Sequence, residues 1–421
     1  MKVLKEAAKA AANAGDVTDL VTGLIAQVRA GGDASVLELT EEFDGVALEA
    51  LEVPRKALKD AYDQVGAETV ESLGFAAEQL HAFAAKQLDC FSPLRVETLP
   101  GITLGHRLVP VRSVGAYVPA GRYPLPSTAL HSVIPAKVAG VAHVAACSPP
   151  SRGYGGVHPA VLVALDIAGV DRVFCMGGAQ AIAAYAFGTE SVPAVDMVVG
   201  PGNKYVTEAK RQVSGRVGID LLAGPSEVLI IADDSADPRW VAVDLLAGCE
   251  HDPDSIACLV TTSPALAQAV LDAIPVECQT LGTGEVALQT WEDNGRIVVV
   301  DSVEEAVAVS EDFAPEHLQV ITRDDDTVVE MLTDYGSLFV GPYAPVAYGD
   351  YVSGTNHTLP TMHSAKFMNG LWVGTFLRAL SIQVLTAEGS DRLAGHCAHL
   401  AGVEGLLAHQ RSAELRLESR T

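Results

Sequence analysis

An adjacent carboxylate and imidazole, Glu316 and His317, are set among apolar residues. A second carboxylate and imidazole, Asp350 and His357, lie in a segment rich in Gly, Ser, Thr and Asn, which is typical of a loop. Packing alone gives these residues little reason to occur together. Because imidazole titrates near neutral pH and carboxylates accept protons, the two pairs predict a site that moves protons.

Imidazole and carboxylate side chains are also ligands for zinc or manganese. Four positions could contribute to such a site: His251, Asp350, His357 and His409. They are far apart in the sequence, so their spacing alone establishes no metal centre. Any one of these histidines by itself is more typical of a hydrogen-bonded structural residue.

Three glycine-containing turns each follow a predicted strand, at 177–180, 200–203 and 223–227. None is a full G-x-G-x-x-G, and alone each indicates a tight turn more often than a phosphate cradle. In a parallel sheet, however, such turns meet at the carboxyl ends of the strands, where nucleotides bind. With Tyr117, Gln180 and Asn203 at the strand ends, they predict a dinucleotide site.

Arg122 lies in a Gly- and Pro-rich loop, residues 120–128, between a predicted strand and a predicted helix. Such a loop lets backbone N–H groups approach a ligand closely. The guanidinium is therefore a candidate clamp for an anionic group. A solvated surface arginine accounts for the composition equally well.

The composition restricts the class of protein. The chain has 421 residues, 49% of them hydrophobic and 38 of them glycine, which suits an α/β enzyme of two or three domains. Its net charge of −25 argues against nucleic acid or an anionic membrane as a partner, although a locally basic site can still bind a small anion.

The cysteines and the apolar runs bear on the compartment. The seven cysteines are scattered, with no Cys-x-x-Cys pair, which predicts reduced thiols rather than disulfides. No apolar run reaches the ~18 residues of a membrane span, and the first residues contain no signal-peptide core. These features together predict a soluble, cytoplasmic protein.

The elements that position these residues follow from periodicity. Apolar residues at 17, 20, 21, 24, 25 and 28 predict a helix that ends at Gly31-Gly32, and 68–87 predicts another. Residues 102–111 alternate like strands with a tight turn. From 141 onward strands and helices alternate, with buried strands predicted at 197–199, 228–233 and 256–261.

This rhythm predicts an α/β fold with two Rossmann-like βαβ domains and helical N-terminal and C-terminal segments. Residues 1–116 hold the N-terminal helices and the start of the first α/β domain. Residues 117–227 form the dinucleotide-binding domain, and residues 228–370 form the domain that carries Glu316 and His317. Residues 371–421 form a helical tail.

Six motifs, taken in order, resemble the histidinol dehydrogenase family over nearly the whole chain. They are Gly-Pro-Gly-Asn at 200–203, Ala-Gly-Pro-Ser-Glu at 223–227, Glu-His-Asp-Pro-Asp-Ser at 250–255, Ala-Pro-Glu-His-Leu at 314–318, the segment from Gly-Asp-Tyr to Leu-Pro-Thr at 349–361, and Glu-Gly-Leu-Leu-Ala-His at 404–409. The resemblance implies an NAD-dependent, four-electron oxidation of a primary alcohol, through the aldehyde, to a carboxylate.

The resemblance also implies roles for individual residues. His317 would be the general base, and Glu316 would activate the water that attacks the aldehyde. Zinc, or manganese, would be held in a homodimer with shared sites, to which the other subunit contributes Glu404 and His409. By motif, the cofactor contacts are Tyr117, Gln180 and Asn203, the metal ligands are His251, Asp350 and His409, and the substrate site comprises Ser226, His251, His317, Asp350, His357, Glu404 and His409, with Arg122 as a further candidate.

One position departs from the family. Three residues before the ligand histidine the family has a zinc-binding glutamine, whereas this chain has Gly248. Water or a substrate atom could fill the place, the metal could bind weakly, or none could bind. The neighbouring Cys249 is a possible thiolate ligand, but it lies on a different helix face from His251, which favours a buried spectator thiol.

The substrate stays open at this point. The segments around Arg122 and His106, and the opening residues 3–8, are closer to paralogues in the family, one of which oxidises a sulfonated propanediol. The alternatives are therefore a small polar, possibly anionic, alcohol; L-histidinol itself in histidine biosynthesis; or a non-catalytic metabolite-binding paralogue that has lost a metal ligand. Retention of Glu316, His317, Asp350 and His409 argues against the last.

Overall fold

The computed structural model describes residues 2–8, 17–120 and 123–418. The strands in these ranges are β1 (Lys2–Lys5), β2 (Glu52–Val53), β3 (Leu94–Leu99), β4 (Ile102–Pro110), β5 (Ser113–Tyr117), β6 (His143–Ser148), β7 (Arg172–Cys175), β8 (Met197–Val199), β9 (Gly218–Ile219), β10 (Glu227–Ala232), β11 (Ile256–Thr261), β12 (Arg296–Val299), β13 (His317–Ile321), β14 (Ser337–Val340) and β15 (Leu377–Leu385).

The helices connect these strands and flank the sheets. They are α1 (Thr18–Asp44), α2 (Arg55–Asp60), α3 (Ala67–Asp89), α4 (Pro126–Val138), α5 (Pro159–Ile167), α6 (Gly178–Phe187), α7 (Lys204–Val213), α8 (Pro238–Cys249), α9 (Pro264–Cys278), α10 (Gly284–Asn294), α11 (Val303–Phe313), α12 (Asp325–Met331), α13 (Val346–Tyr351), α14 (Ala387–Val403) and α15 (Leu407–Glu418). Short 3-10 helices lie at Ala61–Gln64, Ser364–Lys366 and Val373–Phe376.

The first large sheet has the strand order β2-β7-β6-β5-β8-β9. Its strands are parallel except for the edge strand β2. When the parallel strands are numbered along the chain from β5, their spatial order in the sheet is 3-2-1-4-5. Helices α3 to α5 cover one face, and α1, α6 and α7 cover the other. Burial on both faces explains why β6 and β8 are almost wholly apolar. The order reverses between β5 and β8, which is where ligands bind in such sheets.

The second large sheet repeats the first, with the order β1-β12-β11-β10-β13-β14 and only the edge strand β1 antiparallel. Its reversal lies between β10 and β13, where Val228 is paired with His317. Helices α8 to α10 pack on one face and α11 and α12 on the other. The prediction of an α/β fold with two Rossmann-like halves is therefore confirmed.

Most predicted elements are confirmed to within a few residues. The strands predicted at 197–199 and 256–261 coincide with β8 and β11, and α3 covers the helix predicted at 68–87. The predicted stop at Gly31-Gly32 is a kink, because Gly32 has φ 56° and ψ −139° and α1 then continues. The tight turn predicted within 102–111 is wrong. That segment is the single strand β4, and the turn precedes it at Gly101, which has φ 82°.

The third sheet is antiparallel, with the order β15-β4-β3. Strand β15 was not anticipated, because the sequence indicates helix for the whole C-terminal segment. In its described part, that segment contains a short 3-10 helix, strand β15 and then α14 and α15. It pairs with β4 along its length, from Leu377 opposite Pro110 to Leu385 opposite Ile102. Its side chains after Leu377 are exposed.

Within the described ranges, no helix is long and apolar enough to span a bilayer.

Candidate active site

Two elements of the second sheet's half, β13 and α13, bring Glu316, His317 and Asp350 together. His317 is the first residue of β13, and Glu316 immediately precedes it. Asp350 lies in α13, which follows β14, so its prediction as a loop residue is wrong. The site lies at the amino ends of β10 and β13, whereas the predicted dinucleotide turns follow strands of the first sheet.

The approach to this pair is a tight turn. Helix α11 ends at Ala314, a non-glycine residue in the left-handed region with φ 47°. Such a conformation costs free energy and persists only where surrounding contacts enforce it. Here the carbonyls of Pro315 and Glu316 accept hydrogen bonds of 2.9 Å from the N–H groups of Gly336 and Ser337, which lie at the start of β14. These bonds fix the backbone of Glu316 where β13 begins and so place Glu316 and His317 at the amino end of that strand.

The imidazole of His317 lies between two carboxylates. Its Nδ1 is 3.4 Å from Glu316 Oε2, and its Nε2 is 3.4 Å from Asp350 Oδ1. Nδ1 is also 3.1 Å from the carbonyl oxygen of Glu227. The side chain is only 5% exposed. This arrangement orients the ring and surrounds it with negative charge.

The surrounding charge decides the protonation of these groups. Burial lowers the pKa of His317, but the carboxylates of Glu316 and Asp350 outweigh it and raise the pKa well above its usual range. For the acid Asp350 the effects are opposite. Burial raises its pKa, but the imidazole of His317, aided by His357 and His251, brings the pKa below its usual value. The pair is therefore suited to take up a proton and hold it.

Glu316 is held from β10 and the turn before it. Its Oε2 accepts hydrogen bonds of 2.9 Å from Ser226 Oγ and from the backbone N–H of Glu227. The contact between Ser226 and Glu316 places a predicted substrate residue beside the predicted water-activating carboxylate. The side chain of Glu227 is buried, and burial together with the charge of Glu316 raises its pKa to about 7.

His357 connects the second half of the site to the first sheet's domain. Its Nε2 is 3.1 Å from Thr128 Oγ1, and its Nδ1 is 3.0 Å from the carbonyl oxygen of Asp350. The ring stacks on His131 of α4 at a centroid distance of 3.9 Å. Burial lowers the pKa of both imidazoles. Sequence reasoning missed His131, because a lone histidine in an apolar helix carries no distinguishing signal.

The predicted metal ligands are only partly brought together in one chain. His251, at the end of α8, is near enough to Asp350 to influence its pKa. Glu404 and His409 are exposed on the C-terminal helices. Among the described residues of a single chain, no group of three side chains is arranged to hold a metal. Zinc sites need three or four protein ligands, and the described part of one chain does not supply them by itself.

The glycine that replaces a family ligand is blocked by a neighbour. A Cβ built on Gly248 would lie 2.7 Å from Cγ2 of Val228 in β10. Space for a longer side chain at 248 is therefore occupied by the core. Cys249 is buried in the core, and burial raises its pKa to about 12, which disfavours the thiolate that a metal ligand requires. The thiol is buried, as predicted, and its role as a spectator stays a prediction.

The predicted dinucleotide contacts lie around the reversal of the first sheet. Tyr117 ends β5, and its hydroxyl accepts a hydrogen bond of 3.2 Å from the N–H of Gly178. Asn203 caps α7, accepting from the N–H groups of the first helical residues. Gln180 is 1% exposed, and its Oε1 has no hydrogen-bond partner among the described residues. An unpaired buried acceptor beside a glycine turn suits a ligand hydroxyl or amide. Arg122 lies outside the described residues.

Comparison with known proteins agrees with these observations. The sequence model of the family described as histidinol dehydrogenase matches residues 7–417. The chain is 44% identical to a histidinol dehydrogenase homolog of Shouchella clausii, over 96% of this chain and 95% of that protein. It is also 44% identical to a histidinol dehydrogenase of Methanosarcina mazei, over 95% and 92%. The crystal structure of histidinol dehydrogenase from Elizabethkingia anophelis superposes with a TM-score of 0.93 at 33% identity, covering 98% of this chain and 94% of that one.

Proposed function

The chain belongs to the histidinol dehydrogenase family, and on that premise we propose that it oxidises a small polar primary alcohol, through the aldehyde, to the carboxylate, with NAD as the hydride acceptor. The observation that carries the proposal is the buried imidazole of His317, held within 3.4 Å of the carboxylates of Glu316 and Asp350. Burying these three ionisable groups together costs free energy, and a purely structural role gives no reason for that cost.

We infer a task for each group from this geometry. His317, when neutral, accepts the hydroxyl proton of the alcohol while the carbon-bound hydrogen leaves as hydride. Glu316, held by Ser226 and the N–H of Glu227, accepts a proton from the water that attacks the aldehyde. His317 returns its proton to the oxygen of the attacked aldehyde and is neutral again. The resulting hydrate then loses a hydroxyl proton to His317 and its carbon-bound hydrogen as a second hydride. NAD, when bound, supplies the hydride acceptor in both steps.

We propose that Tyr117, Gln180 and Asn203 hold this cofactor. Their positions at the end of β5 and at the amino ends of α6 and α7 are those at which doubly wound sheets bind nucleotides. The backbone N–H groups at the start of α7 are partly taken by Asn203 Oδ1, at 3.0 and 3.2 Å. We propose that the amide nitrogen of Asn203, on an exposed side chain, donates to the ligand.

We propose a homodimer that completes each site. Exposed leucine, isoleucine and valine side chains cover β15, α14 and α15, which is typical of a surface buried in an assembly. His251 and Asp350 provide two metal ligands, and the partner subunit's His409 would provide a third. Zinc or manganese there would polarise the alcohol oxygen. With Gly248 in place of a side-chain ligand, water would complete the coordination.

For the substrate, relatives described as histidinol dehydrogenases favour L-histidinol over a sulfonated propanediol. The competing proposal is that Arg122 binds an anionic group of the substrate. Steady-state assays with L-histidinol, 2,3-dihydroxypropane-1-sulfonate and simple amino alcohols, each with added zinc or manganese, test both. The expected result is two NADH formed for each alcohol consumed. If no compound in the panel gives NADH formation, the proposed oxidation is refuted.

Arg122→Ala separates the two substrates. With an anionic alcohol as the true substrate, its KM should rise by about tenfold or more, since a charge-assisted hydrogen bond is lost. With L-histidinol as the true substrate, KM should change little. Lys56→Ala, on exposed α2, is a control for the loss of one surface cation.

A second candidate function rests on Gly248 and the Val228 side chain against it: a metabolite-binding protein without the metal. Metal analysis of the purified protein distinguishes the two. The dehydrogenase should carry metal in proportion to its sites, and Asp350→Asn should abolish most of it. Metal-free protein that binds NAD and L-histidinol without turnover would favour the binding protein.

A further inference from the structure

A buried ion pair lies beneath the glycine turn that follows β8. Lys210 of α7 and Asp220, just after β9, are in direct contact, and their side chains are only 2% and 1% exposed. Transfer of two charged groups out of water costs more free energy than their attraction alone returns, unless each finds further hydrogen bonds. The further hydrogen bonds of these two side chains therefore indicate why the pair is buried here.

What it holds is a single residue, Gly200. The N–H of Gly200 donates to Asp220 Oδ2 at 2.7 Å, and its carbonyl oxygen accepts from Lys210 Nζ at 2.9 Å. Both polar groups of one residue are thus bound by the two members of one buried ion pair. This fixes the orientation of the peptide groups on either side of Gly200, and so the direction in which the chain leaves β8.

The turn has little other freedom. Gly200 has φ 110°, and a Cβ at this position would lie 2.1 Å from the carbonyl oxygen of Tyr117. Only glycine fits there, with the turn pressed against the end of β5 at the reversal of the sheet. Asn203, three residues later, begins α7. A rotation at Gly200 would move Asn203 and the amino end of α7 relative to Tyr117.

We infer that Lys210 and Asp220 are positioning residues for the dinucleotide, holding the 200–203 turn in the geometry that binds it. The inference rests on the proposed function, because it assigns the turn to NAD. Neither side chain is exposed enough to touch the cofactor, so both act through Gly200 and Asn203. Pre-organisation of this kind strengthens binding by removing the cost of ordering the turn when the ligand arrives.

The test is a neutral replacement of the pair, Lys210→Met with Asp220→Asn. It leaves no unpaired buried charge, and the asparagine oxygen can still accept from the N–H of Gly200. The lost interaction is the one from Lys210 to the carbonyl oxygen. Should the double variant fail to fold, Lys210→Gln with Asp220→Asn serves with the same measurements, since it also leaves no unpaired buried charge and its shorter side chain draws the donor away from the carbonyl oxygen of Gly200.

The control is Lys137→Met with Asp171→Asn, a pair whose side chains are 29% and 40% exposed. This pair lies in the same domain, and Asp171 Oδ2 likewise accepts from a backbone N–H, that of Val144, at 2.7 Å. It differs in position, since Asp171 precedes β7 and the pair lies at the amino ends of the strands. General effects of removing an ion pair from this domain should appear in both double variants.

Calorimetric titration with NAD and NADH gives Kd, and steady-state kinetics gives kcat and both KM values. For Lys210→Met/Asp220→Asn we expect Kd and the KM for NAD to rise by about tenfold, because the free energy of one well-placed hydrogen bond is lost. The KM for the alcohol should change by less than about twofold. The control variant should bind NAD as the wild type does. A merely structural role would lower the melting temperature and leave Kd unchanged.

Two results would overturn the inference. Equal Kd in the wild type and Lys210→Met/Asp220→Asn would show that the pair does not position the turn. Equal weakening in both double variants would show a general loss of domain stability. Wild-type protein that binds neither NAD nor NADH is a different failure, since it would remove the proposed function and this inference with it.

Discussion

The space beside Gly248 offers the sharpest quantitative test of the structure. Gly248→Gln would restore the side-chain type that the family uses as a metal ligand. A Cβ there would lie 2.7 Å from Val228 Cγ2, well inside the ~3.5 Å at which carbon atoms attract. Overpacking of this kind costs about 1–3 kcal/mol. Replacement of a helical glycine by a better helix former returns about 0.5–1 kcal/mol. The single variant should therefore be destabilised and should gain no metal.

Val228→Ala removes the obstacle. Alone it loses two buried methyl groups, about 1.6 kcal/mol at ~0.8 kcal/mol each. In the double variant the new side chain occupies the vacated space, so the two changes should couple favourably by about 1–3 kcal/mol. The double variant should also bind more zinc than either single variant.

The assay is urea unfolding at one fixed protein concentration, with metal content measured on the same samples. Gly74→Gln is the control, because Gly74 is helical and a Cβ there meets nothing within 4 Å. It should be neutral or slightly stabilising. If Gly248→Gln and Val228→Ala add within about 0.5 kcal/mol, or if Gly248→Gln alone gains metal, the argument from Val228 is wrong.

His317→Asn should lower kcat for alcohol oxidation by about 10²- to 10⁴-fold, the usual contribution of a general base. His81→Asn, at an exposed position, is the control and should leave kcat unchanged. Equal kcat for the His317→Asn variant and the wild type would exclude His317 as the base. Because His317 must be neutral to accept a proton and nearby carboxylates raise its pKa, the first-turnover rate should rise with pH through that raised pKa. Glu316→Gln should move this rise to lower pH, and an unmoved profile would contradict the electrostatic account. Ile382→Glu should give an inactive monomer by sedimentation, whereas Gln383→Glu, on the opposite face of β15, should stay dimeric; an active monomer would refute the shared site.

Much of the scaffold could be predicted because its causes are local. Buried parallel strands need apolar residues on both faces, and β8 and β11 were therefore predicted at their observed positions. Glycine marks chain reversals and kinks, as at Gly32 and Gly101. Where the sequence misled, the competing cause was tertiary. Strand β15 forms because it pairs with β4, more than 260 residues earlier, and local periodicity carries no trace of that partner.

The site was predicted in its residue types and only partly in its arrangement. Glu316, His317 and Asp350 were identified from their chemistry, and the structure brings them together. His131 and Glu227 were missed, since one is a histidine in an apolar helix and the other the first residue of a buried strand. Their roles depend on contacts of His131 with His357 and of Glu227 with the catalytic pair.

The sequence by itself determined the alternating strands and helices of the two α/β halves, the glycine turns and the set of proton-transfer groups, because these follow from short-range periodicity and side-chain chemistry. Tertiary structure alone decided that His317 lies between two carboxylates, that Val228 closes the space beside Gly248, and that a buried ion pair grips Gly200. The contact between His317 and Glu227 spans 90 residues, and that between Thr128 and His357 spans 229. Such contacts arise from the packing of whole sheets, for which no local sequence preference exists.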